Sequence, residues 1–211
     1  LIGAPAAGAG LEYWTRRTAE HGARAVVNVE HPANRDLDSL TAEHRLVLLP
    51  ALAALLDGSE RVVCDLGCGA GRFTADFAAV IGGRAIGVEP VPALRALAPR
   101  AAGVSYRGLR QDGRLPLSDA EADVVVTVTV LGGLVAEGEL AQTAAEVRRI
   151  LRPGGLLYLA ESVSRASRQR HWAARTVGAY RSAFPWADLV EVAQFDDAGD
   201  AISVLAGRAT A

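Results

Sequence analysis

The stretch Val62-Val63-Cys64-Asp65-Leu66-Gly67-Cys68-Gly69-Ala70-Gly71-Arg72-Phe73-Thr74 holds the densest chemistry of the chain. An apolar run ends, three glycines alternate, and residues with helical spacing begin. Glycine in such a turn reaches backbone angles closed to other residues and removes the side chain that would block a ligand. The helix start beyond it offers unpaired N–H groups and the positive end of a dipole. The spacing is G-x-G-x-G. A dinucleotide fingerprint, G-x-G-x-x-G, would put its third glycine at position 72, which is Arg72. Asp65 precedes the loop, where an acid repels a pyrophosphate but suits an ammonium. Two further acids follow similar runs. Glu89, in Gly87-Val88-Glu89-Pro90, is placed to accept from both hydroxyls of a ribose. Asp112, in Gln111-Asp112-Gly113 ahead of Leu115-Pro116-Leu117, is placed to accept from an adenine amino group.

Strand and helix signals alternate around these acids. Apolar runs at Arg61–Asp65, Ala85–Val88, Val104–Leu109, Val124–Val130 and Leu156–Ala160 predict strands. The β-branched Val124–Val130 run fits a central parallel strand, apolar on both faces. Helical spacing covers Phe73–Ile81, Pro92–Ala101 and Glu139–Leu151, the last stopped by Pro153-Gly154-Gly155. Leu40–Leu56 reads as an apolar helix kinked at Pro50, and Arg168–Ala183 as a polar and aromatic helical stretch. Leu189–Phe195 and Ala201–Leu205 flank the turn-like Asp196-Asp197-Ala198-Gly199-Asp200 and predict a closing hairpin. The expected fold is α/β: a Rossmann-like, seven-stranded, mostly parallel sheet with helices on both faces and a C-terminal antiparallel β-hairpin. Residues 1–38 read as an N-terminal leader or cap over the site, and 39–211 as the domain itself.

The order of these motifs resembles the class I S-adenosylmethionine-dependent methyltransferases. It is carried by DLGCGAGRF, GVEP, RQDGRLPLSDAEADVVVTVTVL and RRILRPGGLLYLAE, across roughly 59–207. The resemblance implies that S-adenosylmethionine is the cofactor and S-adenosylhomocysteine the product. Asp65, Gly67, Cys68, Gly69 and Gly71 would then surround the methionine end, and Glu89 with Pro90 would hold the ribose. Asp112 and Gly113 would face adenine, Thr127 would lie beside the methionine moiety, and Val128 would line the pocket floor. The Tyr13-Trp14 pair resembles aromatic leaders that close over the cofactor in relatives of this size. The family often carries V-L-x-H after the fourth strand; here Val130-Leu131 is followed by Gly132-Gly133, which removes one candidate base and widens the site.

Methyl transfer to an OH or NH group calls for a proton acceptor. His171, His31 and Glu161 are the candidates by position; His44 sits inside the predicted Leu40–Leu56 helix and reads as structural. The Arg165–Trp186 segment, with Arg168, Arg170, Arg175, Arg181 and Tyr180, offers groups for an acidic or aromatic acceptor, or else a solvated face. A small-molecule acceptor, methylated on O or N, is the expectation. The chain of 211 residues is half hydrophobic and has a formal charge of -2, which gives no footprint for nucleic acid. It contains no N/D-P-P-Y tetrapeptide and no apolar run of membrane-spanning length. Two cysteines complete neither a disulfide framework nor a metal site, so no metal and a cytoplasmic location are expected. Two rival readings stand beside this one. The first is a protein of the same fold that binds the cofactor without methyl transfer; the second is an NAD(P)-dependent oxidoreductase, which the glycine spacing and Asp112 disfavour.

Overall fold

A computed structural model describes residues 7–31, 36–163, 167–168, 170–197 and 199–210. Five apolar runs form the parallel part of one sheet: β1 (Val62–Leu66), β2 (Arg84–Val88), β3 (Val104–Arg107), β4 (Ala122–Val128) and β5 (Leu151–Ser162). The hairpin β8 (Val190–Asp197) and β9 (Asp200–Arg208) completes it, in the order β3-β2-β1-β4-β5-β9-β8. Strand β9 pairs antiparallel with both β5 and β8. The seven-stranded, mostly parallel sheet expected from the sequence is therefore present.

Period-2 alternation sends neighbouring residues of each central strand to opposite faces. Cys64, Ile86, Val125, Leu157 and Leu159 meet Val147 and Ile150 of α5 (Glu139–Ile150) and Tyr180 of α6 (Val177–Ala183). Val63, Ala85, Val124, Val126 and Tyr158 meet Leu48 and Leu52 of α2 (Leu37–Ala53) and Phe77 of α3 (Thr74–Val80). In α2 the buried Leu40, His44, Leu48 and Leu52 recur every four residues, which makes one stripe along the helix. Asp36 caps that helix by accepting from the N–H groups of Asp38 and Ser39. Across the sheet, the buried Tyr158 hydroxyl donates to the Leu48 carbonyl at 2.9 Å. Ahead of the sheet lie α1 (Ala7–His21) and a 3-10 turn at Gly22–Val26.

Several boundaries differ from the sequence reading. The helix expected over Pro92–Ala101 is one turn, α4 (Pro92–Arg95), because Pro99 has no N–H to continue it and disfavours helical angles at Ala98. Helix α2 continues to Ala53, three residues past Pro50. The expected helix over Arg168–Ala183 is helical only in α6, where Thr176 caps the Ala179 N–H. Upstream, the two short strands β6 (Ser167–Arg168) and β7 (Ala173–Ala174) pair with each other, and Val163 bridges Arg175. Tertiary pairing overrides local propensity there. The Arg168 side chain and Ala198 of the hairpin turn lie outside the described residues. Pro153-Gly154-Gly155 sits inside β5, yet it does interrupt the ladder: the register jumps from Ala122↔Leu151 to Val124↔Leu156. Gly154 turns this bulge at φ +71°.

Replacing Tyr158 by Phe removes the one bond tying this strand to α2 through a side-chain hydroxyl. The expected cost is about 1 kcal/mol, read as a lower urea midpoint with an unchanged slope.

Candidate active site

Parallel register aligns Leu66 with Val88, and Asp65 with Val126, so β1, β2 and β4 all deliver their carboxyl ends to one edge. Strand order reverses between β1 and β4, the switch point at which open α/β sheets bind ligands. There the chain lines a cleft that opens to solvent, with about 630 Å³ of free space in and at its mouth.

The glycine loop forms one wall. Gly67 and Gly69 line the cleft and, like Gly71, have positive φ, at +71°, +56° and +75°. The Gly67 N–H donates to the Val88 carbonyl at 2.8 Å, which stitches the loop to the end of β2. A Cβ on Gly67 would stand 2.5 Å from Val130, and one on Gly69 would stand 2.7 Å from Val26. Glu89 and Pro90 form the adjoining wall. Glu89 is nearly buried, and its carboxylate accepts from the Gly69 N–H at 3.1 Å and the Val91 N–H at 2.8 Å. Burial raises its proton affinity, against those two bonds. A carboxylate with two N–H partners still has lone pairs for a ligand's hydroxyls.

Asp65 lies behind the loop rather than on its surface. It is 4 % exposed and accepts from the Thr74 hydroxyl at 2.6 Å. Burial pushes its carboxyl up to about 7; the Thr74 bond opposes this and the Glu89 charge adds to it. Cys68 is buried within the loop, and burial pushes its thiol far up, which leaves it an inert filler.

The floor is the segment after β4. Val128, Thr129, Val130, Gly133 and Leu134 line the cleft, and Thr129 turns the chain at φ +53°. Two charged groups, one buried and one half-buried, grip this floor. Glu161 of β5, fully buried, accepts from the Thr127 hydroxyl at 2.7 Å and from the N–H groups of Val130 and Leu131 at 3.1 and 3.0 Å. Burial pushes its carboxyl up to about 7, while these bonds pull the other way. Arg175 donates to the carbonyls of Leu131 and Leu134. The carboxylate takes the floor's N–H groups and the guanidinium takes its carbonyls.

Residues ahead of the sheet line the remaining side. Leu11, Trp14 and Val26 line the cleft. Trp14, Ala23 and Val26 pack on Ala70, Val91 and Leu94, a small core separate from the two faces of the sheet. Arg17 shapes this turn by donating to the carbonyls of Ala25 and Val27, both at 2.7 Å.

The structure thus gathers Trp14, Gly67, Gly69, Glu89, Pro90 and Val128 around one cleft. Thr127 sits beneath it, bonded to Glu161, and Gly71 faces the Tyr106 hydroxyl. Asp112 and Gly113 lie outside the lining, in a surface turn where Asp112 accepts from the Arg114 N–H at 3.0 Å. Tyr13 is stacked on His171, with ring centres 4.0 Å apart and planes 12° from parallel. His31 closes a turn onto the Asn28 carbonyl and lies outside the cleft lining. Val26, Thr129 and Leu134 escaped the sequence reading: an apolar residue in a leader or a loop carries no local signal. Val91, two residues beyond Glu89, had its motif as a signal.

Part of the chain is similar to known methyltransferases. Residues 64–159 match the family described as "Methyltransferase domain". An uncharacterized methyltransferase of Mycobacterium ulcerans is 37 % identical over 105 residues, which cover 49 % of this chain and 40 % of that protein. The chain spans about two fifths of the length of that curated relative. Among solved structures, an S-adenosylmethionine-dependent methyltransferase of Methanosarcina mazei superposes with a TM-score of 0.60 at 15 % identity, covering 76 % of this chain and 97 % of that one. Human N-acetylserotonin methyltransferase, solved with S-adenosylmethionine, gives 0.58 at 18 % identity, covering 82 % and 55 %.

Asp65 holds a proton in the folded chain between its ordinary 3.8 and about 7. Across that window the folded state binds more protons than the unfolded state, so this group's contribution to stability falls as pH rises. Asp65→Asn is therefore expected to gain stability relative to the native chain between pH 4 and 7, measured by urea unfolding at both ends; parallel curves would contradict it.

Proposed function

We propose that the chain is a class I S-adenosylmethionine-dependent methyltransferase that methylates an oxygen or nitrogen of a small-molecule acceptor. The observation that carries the reading is the Glu89 carboxylate, set in the cleft wall beside a glycine loop at the switch point of the sheet. When bound, the cofactor supplies a methyl group on a positively charged sulfur, an already activated leaving group. The residues present fit it. Gly67 and Gly69 remove side chains where the ligand meets backbone, Glu89 accepts from ribose hydroxyls, and Pro90 and Val91 shape the same wall. Asp65, behind the loop, would supply negative charge toward the ammonium end once it gives up its proton. Val128 and Val130 give an apolar floor, so alignment and exclusion of water do most of the work.

The leader, residues 1–38, acts as the cap in this reading, with Leu11, Trp14 and Val26 shielding the cleft. Of the three candidate proton acceptors, His171 fits best. It lies against Tyr13, next to Trp14, and burial together with the Arg170 and Arg16 charges holds its proton affinity below the ordinary value. It is therefore neutral and able to accept a proton at physiological pH. Glu161 has its oxygens committed to Thr127 and the cleft floor, and we assign it a positioning part. His31 takes no part in the cleft. Among the described residues no helix is long and apolar enough to cross a membrane, and no cluster of His, Cys, Asp and Glu could hold a metal ion. The two buried thiols, Cys64 and Cys68, are unpaired, in keeping with a reducing compartment.

Calorimetric titration with S-adenosylhomocysteine, and with NAD(H) in parallel, tests the cofactor. Binding of the first and not the second is expected; binding of NAD(H) alone would overturn the reading. Gly67→Ala should weaken the first at least tenfold, since its Cβ would need φ +71° and overlap Val130. His171→Ala should lower kcat on the acceptor by about 10²-fold or more, leaving S-adenosylhomocysteine affinity unchanged.

A further inference from the structure

Trp14 borders more than the cofactor cleft. Its indole also lines a second hollow, of about 430 Å³, with Tyr13, Arg170, His171 and Trp172. An adjoining hollow of about 610 Å³ shares Tyr13, Arg170 and His171 and adds Arg16.

Gly132 and Gly133 shape this place. A Cβ on Gly132 would overlap the Trp172 indole, and one on Gly133 would stand 3.7 Å from Trp14 Nε1. Two indoles therefore close on adjacent residues of the segment after β4. Beside them the Tyr13 and His171 rings stack nearly parallel, and Tyr13 meets Trp14 edge to face at 5.1 Å. Four flat side chains with room between them suit a flat ring, which gains both apolar burial and ring contacts.

The charges add a second requirement. Arg16 and Arg170 both act on the His171 imidazole, so both stand close to the hollow. Neither has a hydrogen bond or ion pair among the described residues. Other arginines nearby are committed: Arg175 to carbonyls of the floor, Arg181 to the Leu189 carbonyl, and Arg17 to those of Ala25 and Val27. Glu139, which also faces the outer hollow, is engaged by the Ala136 N–H at 2.8 Å. Glu12, exposed on α1, also lines this hollow. By contrast, Glu89 is the charged side chain of the cofactor cleft.

We propose that the two adjoining hollows together form the acceptor site and take a flat aromatic molecule bearing an acid, the ring held among Tyr13, Trp14 and Trp172 in the first and the acid paired with Arg16 and Arg170 in the second. This assignment rests on the methyltransferase reading, which places the methyl donor on the other side of Trp14. An acid between two guanidinium groups that have no partner among the described residues pairs charge with charge, which an ester of the same molecule cannot do.

The test is titration of the full chain, saturated with S-adenosylhomocysteine, with 4-hydroxybenzoate and with its methyl ester as probes. Tryptophan fluorescence follows binding at Trp14 and Trp172. The acid is expected to bind at least tenfold more tightly than the ester, with the ratio falling to near one in the Arg16→Ala/Arg170→Ala double variant. Equal binding of acid and ester, a ratio that survives the double variant, or no binding of either at millimolar concentration would overturn the assignment. Failure of S-adenosylhomocysteine itself to bind is read first, and it would instead remove the methyltransferase reading. Both arginines are exposed, so the variant keeps the core, and unchanged S-adenosylhomocysteine affinity verifies its fold.

Discussion

Parallel pairing is the constraint from which the site follows. With β1, β2 and β4 running the same way in register, their carboxyl ends arrive together, and every residue after a strand end enters the same space. The glycine loop, Glu89 and the 128–134 floor come from three distant parts of the chain. They meet because Leu66, Val88 and Val128 end their strands along one edge. The two buried faces of the sheet are apolar and set this geometry; the edge inherits it.

The edge nevertheless needs its own bracing, since loops lack the ladder that holds strands. Glu89 braces one side by bonding Gly69 and Val91, which joins the loop after β1 to the loop after β2. Glu161 and Arg175 brace the other side by dividing the floor's backbone between them. Burying such groups without hydrogen bonds would be costly, so their presence is tolerable only because their bonds are made. The rise of Glu161 to about 7 despite them measures how strongly burial presses on that carboxyl.

Much of this was legible in the sequence because it is locally encoded. Alternating glycines after Val62–Leu66 specify a turn with positive φ wherever they occur. The β-branched Val124–Val126 run specifies a strand buried on both faces, and the hairpin is written in its turn residues. Other features depend on residues far apart in the chain. Nothing near Glu161 reveals that N–H groups 30 residues earlier converge on it, so its acid reads as a candidate base. Nothing in Gly22–Val26 reveals that Val26 lies over Gly69. The Arg168–Ala183 stretch has helical composition, yet Arg175 is drawn out of helical geometry by the carbonyls it serves and by its bridge to Val163. Local pattern reports a segment's preference, and long-range bonding settles the exceptions.

The strand order also bears on how copies of this chain behave toward one another. An unpaired sheet edge exposes a row of backbone donors and acceptors that a neighbouring molecule can extend. Here the two outermost strands are poor templates for such growth. Strand β3 is four residues long, and its terminal Arg107 lies within 3.9 Å of Glu121. Strand β8 is longer, but it carries Glu191, Gln194, Asp196 and Asp197, and its pairing with β9 shifts register between Glu191 and Ala193. Like charges facing one another across a second β8 would repel, and the irregular register spoils the flat surface that stacking requires. The long central strands, which are the most apolar and the most prone to fibrous assembly, are enclosed between these guarded rims.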